Sequence, residues 1–232
     1  MKNLIFIAFL LFIINSSIAQ EPWFASLENN TEKIEFPFHI NDNYMENIYN
    51  SDNESFDLKS LRLDDVQILC PGYDSLKNNR DFFMLSQFAF IDSLKSVERY
   101  EHYLDNEIHE GMVRVSDAFE IEHIKINSNT SLFLWGLYFE SYEACPYSSG
   151  QYVMGTFIQN KKPTSVAVLG GSYSSADAPY SFDKKTSTMI NGSAIEILYT
   201  ETQGDDEGEE SKSKTIEYLL IEGHLIQKAI RK

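Results

Sequence analysis

Two histidines seven residues apart, His102 and His109, sit next to Glu101 and Glu110. On a helix that spacing would place both imidazoles on one side, where with a carboxylate they could hold zinc. Histidines in a polar stretch are more often simply solvated, and the chain has no H-E-x-x-H run. The sequence therefore assigns no metal, with His102 and His109 as the weak candidates. Gly170-Gly171-Ser172-Tyr173-Ser174-Ser175 invites a nucleophile, but Ser174 stands where G-x-S-x-G needs glycine. It reads as a Ser/Gly-rich loop. The oxygen-rich runs 41–43, 52–54 and 205–210 miss the spacing of a calcium loop and read as solvated loops. There is no Walker A loop and no G-x-G-x-x-G. No catalytic residue and no cofactor is assigned.

Aromatic side chains are the enriched chemical type, with 16 Phe, 13 Tyr and 2 Trp. Tyr138, Tyr142, Tyr147, Tyr152, Tyr173 and Tyr180 fall in one stretch. Tyrosine offers area and a hydroxyl together, so Tyr142, Tyr147, Tyr173 and Tyr180 are the candidate binding patch for a protein or a sugar. In strands tyrosine is also an ordinary half-buried residue. The two cysteines, Cys70 and Cys145, each precede proline and belong to no Cys-x-x-Cys pair, so redox catalysis and zinc ribbons have no support. In an oxidising compartment the even count suits one disulfide, Cys70 to Cys145.

That compartment is implied by the first residues. Lys2, the apolar run from Leu4 to Ile14 and the small-x-small triplet Ser17-Ile18-Ala19 make a signal peptide over residues 1–19. The mature chain should start at Gln20 or Glu21 and be secreted or periplasmic, with a flexible segment over 20–32 and one domain over 33–232. No later stretch approaches the roughly 18 apolar residues of a membrane span. The formal net charge is −16, and loss of the leader, with Lys2 and no acid, makes it more negative. That charge repels phosphate backbones and excludes nucleic acid as a partner. It favours encounter with a basic protein.

The elements that would position such residues alternate with period two. Ile34, Phe36, Phe38 and Ile40 form one face of a strand that Pro37 confines to an edge or bulge. Residues 41–55 read as a loop with a short turn of helix around Tyr44–Ile48. Residues 56–69 read as a strand with two breaks in its alternation, ended by Cys70-Pro71-Gly72, and 81–91 as a buried strand. Residues 92–106 fit helix and strand equally. Phe119, Ile121 and His123 alternate on one face. Leu132–Phe139 is almost continuously apolar, a central strand buried on both faces, with Gly136 marking a bulge or a close contact. Hairpins follow around 160–163, at Asn191-Gly192, at the acidic tip 205–210 and at Glu222-Gly223.

Nine or ten strands with few helical stretches make a mainly β, single antiparallel domain, a sandwich or a partly closed barrel-like sheet. The leading expectation is a non-enzymatic exported binding or structural protein whose partner is a basic protein or a carbohydrate. The alternatives are an acidic inhibitor or immunity protein for a basic enzyme, and a carboxylate- or metal-dependent hydrolase.

Overall fold

The computed structural model describes residues 34–49, 59–79, 82, 84–85, 112–142, 147–177 and 179–231; for 112–116, 140–142 and 147 it describes the backbone alone. The leader, the 20–32 segment, 92–106 with His102, and His109 lie outside these residues. In chain order the elements are β1 (Phe38–Ile40), α1 (Asp42–Tyr49), β2 (Ser60–Leu61), α2 (Leu63–Leu69), α3 (Tyr73–Leu76), β3 (Met112–Lys125), β4 (Thr130–Tyr142), β5 (Tyr147–Gln159), β6 (Lys162–Asp177), β7 (Tyr180–Asn191), β8 (Ala194–Asp205), β9 (Gly208–Ile221) and β10 (His224–Arg231). They belong to one unit, Glu32–Lys232.

All ten strands join one antiparallel sheet in the order β10-β9-β8-β7-β6-β5-β4-β3-β2, with β1 attached to β7. The domain is mainly β and the sheet does not close into a barrel. Tight turns set the registers of the long hairpins. Asn160 and Lys161 both take positive φ (50° and 62°), as do Glu222 and Gly223 (50° and 75°), the backbone that two-residue hairpin turns need. At the acidic tip, Asp205 Oδ1 accepts the N–H groups of Glu207 and Gly208 at 2.8 and 3.1 Å, an Asx turn that closes the β8–β9 hairpin.

Strand β4 is the best-buried element. Leu132, Phe133, Leu134, Trp135, Leu137 and Phe139 are all 1 % exposed or less, so both faces are covered, as the continuous apolar run implies. Gly136 is the close contact: the Phe119 ring occupies the space its Cβ would take. One face of β4 and β5 contributes Leu132, Leu134, Val153 and Phe157 to a core shared with Ile40 and Met45 from β1 and α1. The opposite face meets α2. There Trp135 Nε1 donates to Thr156 Oγ1 (3.1 Å), and Thr156 Oγ1 donates to the Leu69 carbonyl (2.8 Å).

Residues 63–69 are helix where a strand was expected. Leu63, Val66 and Leu69 recur every three residues, and Val66 and Leu69 are fully buried. The Asp64-Asp65 pair that broke the alternation is the first helical turn, where carboxylates meet the positive end of the dipole. Asp65 Oδ2 also accepts the Arg62 N–H at 3.0 Å. Helix α1 is longer than the turn expected within 41–55; Asn41 Oδ1 caps it by accepting the Tyr44 N–H at 3.1 Å. Within 81–91, Met84 and Leu85 are buried but lie in helical backbone, not a strand.

Strand β3 carries a register shift between Glu120 and Glu122. An extra residue there reverses which face the following side chains take. Phe119 stays with Gly136, while His123 moves to the face of Phe133, its register partner. The expected single face of Phe119, Ile121 and His123 is therefore not formed. His123 is buried, with Nε2 2.9 Å from Ser131 Oγ.

Candidate functional site

Strands β6 and β7 pair only over Gly171–Asp177 and Tyr180–Thr186. Beyond Thr186 they part, and Thr188–Ile190 pair with β1 instead. The first half of β6 keeps its ladder to β5, and its other edge faces a gap. The β9–β10 turn spans the lower end of that gap. The hydroxyls of Thr164 and Ser165 each lie 2.7 Å from the Gly223 carbonyl, and the Leu225 N–H donates to Ser165 Oγ at 3.2 Å. Side chains rather than a strand ladder thus bridge β6 to β10.

Between these limits lies a cleft of about 800 Å³, within the range of small-molecule sites. One wall is the β6 segment from Ser165 to Val168; another is built from β7, β8 and β9; Tyr152 on β5, Leu225 on β10, and Phe82 and Met84 also line it. Cross-strand partners share a face, so the ladders assign each wall residue to a row. One row runs Phe139, Gly150, Tyr173, Lys184, Glu201, Lys212 across β4 to β9. The next runs Leu137, Tyr152, Gly171, Thr186, Tyr199, Lys214. Aromatic and charged residues on β6 to β9 therefore converge on one face through simple alternation.

The aromatic side of the cleft is continuous with the core. Phe139 stacks on Tyr152 (6.1 Å, 7° between planes) and on Tyr173 (6.1 Å, 26°), and Tyr173 meets Phe182 at 5.9 Å. Gly150, the register partner of Phe139, makes this possible, because a Cβ there would run into the Phe139 and Tyr152 rings. Burial pushes the Tyr152 phenol well above its usual range, and the neighbouring Tyr173 and Tyr49 phenols add to it. Tyr152 is thus a neutral donor and acceptor at the base of the cleft.

The polar side is formed by Lys184, Glu201, Gln203 and Lys214. Lys184 Nζ is 3.9 Å from Glu201 Oε1. Both ammonium groups sit over the Tyr199 ring, Lys184 at 5.9 Å and Lys214 at 5.1 Å from its centroid, within cation–π range. This combination of flat rings, an amide and ionised groups can stack on a ligand and hydrogen-bond it.

The expected site residues divide accordingly. Tyr173 lines the cleft. Tyr180 is exposed at the far end of the β6–β7 hairpin, opposite Asp177. Tyr142 and Tyr147 are register partners at the end of the β4–β5 hairpin, with Tyr147 opposite Ala176. Gly170–Ser175, expected as a loop, lies inside β6, and the glycines sit where that strand changes register. Cys70 is a free buried thiol in the structure, and Cys145, its expected disulfide partner, lies outside the described residues. Lys184, Tyr199, Glu201 and Lys214 carry no sequence motif; only their alternation on adjacent strands connects them.

Among the described residues, no three His, Cys, Asp or Glu side chains gather as a metal-binding group, and no helix is long and apolar enough to cross a membrane. No family model, curated protein or solved structure matches the chain.

Proposed function

We propose that this chain is an exported, non-enzymatic binding domain and that the cleft where β6 and β7 part holds its ligand, a carbohydrate. The observation that carries this reading is the convergence of the Tyr173, Phe182 and Tyr199 rings with Gln203 and Glu201 on one cleft. A pyranose has an apolar C–H face that packs on such rings and a rim of hydroxyls that needs amide and carboxylate partners. Export is supported by Lys2, the apolar run and the Ser17-Ile18-Ala19 triplet.

The test is calorimetric titration of the mature protein with a panel of neutral and acidic oligosaccharides. Binding that is lost in Tyr173→Ala and retained in Tyr180→Ser supports the cleft. Binding that survives Tyr173→Ala places the ligand elsewhere, and cleavage of a bound saccharide overturns the non-enzymatic reading.

A further inference from the structure

Among the described residues, three charged side chains line the cleft: Lys184, Lys214 and Glu201. Lys184 and Lys214 bring two ammonium groups to this cleft in a chain whose formal net charge is −16. The two ammonium groups flank a single ring, that of Tyr199. Lys184 reaches Glu201 at 3.9 Å, the outer limit of an ion pair. Among the described residues, Lys214 has no carboxylate within ion-pair distance. Its register partner is Tyr199, not an acid. By contrast Lys212, one alternation along the same face, is matched by Glu210 at 3.2 Å.

We propose that the ligand of this cleft bears a carboxylate, as an acidic saccharide of the hexuronate or sialic acid type does, and that Lys184 and Lys214 receive it. The inference rests on the reading of the cleft as a carbohydrate site. A carboxylate entering beside the Tyr199 ring meets both ammonium groups that lie over it, and each attraction favours the charged ligand. The chain's many other acids do not forbid this. At physiological ionic strength exposed charges more than about 8 Å apart are largely screened, so the local pair dominates at the site. Tyr173, stacked on the buried Phe139, and the Phe182 ring tilted 60° to it line the cleft beside the cations and offer aromatic surface to the sugar ring.

The experiment titrates trisaccharides of galacturonate, mannuronate and sialic acid into the mature protein, each beside its methyl ester. Esterification removes the charge and keeps the ring. The proposal expects at least one acid to bind about tenfold or more tightly than its ester, the worth of one charge-assisted hydrogen bond. It also expects that preference to shrink in Lys184→Gln and Lys214→Gln, each with unchanged melting temperature, and to weaken with added salt. Equal binding of acid and ester overturns the carboxylate assignment and leaves the carbohydrate site standing. A preference that persists in both lysine variants overturns the roles of Lys184 and Lys214. Binding of neither form overturns this proposal together with the reading it rests on.

Discussion

The Tyr49 hydroxyl donates to the carbonyl of Tyr152 at 2.6 Å, with the Leu137 carbonyl 3.4 Å away. One phenol on helix α1 is thereby held to the two central strands, 88 residues along the chain from Leu137 and 103 from Tyr152. The same ring meets Phe119 edge-on at 5.6 Å. Nearby on the helix, Tyr44 donates to Glu122 Oε2 at 3.3 Å. Helix α1 is thus fixed through protonated phenols.

This gives the fold a limit at alkaline pH. Burial raises Tyr44, Tyr49 and Tyr152 far above the usual 10.0, with Glu122 adding to the rise at Tyr44. A folded-state pKa above the unfolded one means the stabilisation is complete below about pH 10 and falls as pH rises past it, because only the unfolded chain can release the proton. Each phenol raises the unfolding constant about tenfold per pH unit in that window. Absorbance titration at 295 nm should show at least three of the 13 tyrosines ionising only as the far-ultraviolet signal is lost. Smooth ionisation of all tyrosines near pH 10 in the folded protein would contradict the packing of α1.

Gly136→Ala should destabilise the fold by about 1–3 kcal/mol, the usual cost of an overpacked core, because the new methyl meets the Phe119 ring. In a Phe119→Leu background the same change should cost less, and urea unfolding of the four proteins measures the coupling. Additive costs would show that the two residues do not meet.

Thr156 Oγ1 accepts from Trp135 Nε1 and donates to the Leu69 carbonyl, at 0 % exposure. Thr156→Val keeps the shape and leaves the indole N–H buried without its acceptor, at a cost of about 1–3 kcal/mol. Chemical denaturation should show that loss with an unchanged m-value. A neutral substitution would mean that α2 does not dock through this relay.

What the sequence discloses depends on how local each cause is. The run from Leu132 to Phe139 is legible because double-sided burial imposes an apolar residue at every position. The Glu222-Gly223 turn is legible because its chemistry lies in two adjacent residues. Helix α2 is not, since seven residues with Leu63, Val66 and Leu69 apolar also satisfy a broken alternation. The bulge near Glu120–Glu122 uses no glycine to announce itself, so the face of His123 could not be read. The cleft is the least local feature of all. It exists because β7 leaves β6 for β1 after Thr186, and its charged groups come from three different strands. Of the two tyrosines singled out from composition whose side chains are described, Tyr173 lines it and Tyr180 does not.

Cys70 is buried, and burial pushes its thiol up to about 12. At pH 8 about one molecule in ten thousand then carries the thiolate. Iodoacetamide should leave Cys70 unmodified in the folded protein and label it once the chain is unfolded without reductant. Peptide mass mapping reads both states. An unfolded, unreduced chain that still resists labelling would instead establish the Cys70–Cys145 bridge.

The central claim, that ligand enters where β6 and β7 part, is tested most directly by nuclear magnetic resonance mapping of the isotope-labelled protein titrated with the acidic trisaccharides. The account predicts saturable shifts at Ser165–Val168, Tyr173, Phe182, Lys184, Tyr199 and Lys214. Shifts gathered instead around the exposed Leu219 and Ile226 on β9 and β10, or no saturable shift at any residue, would contradict it.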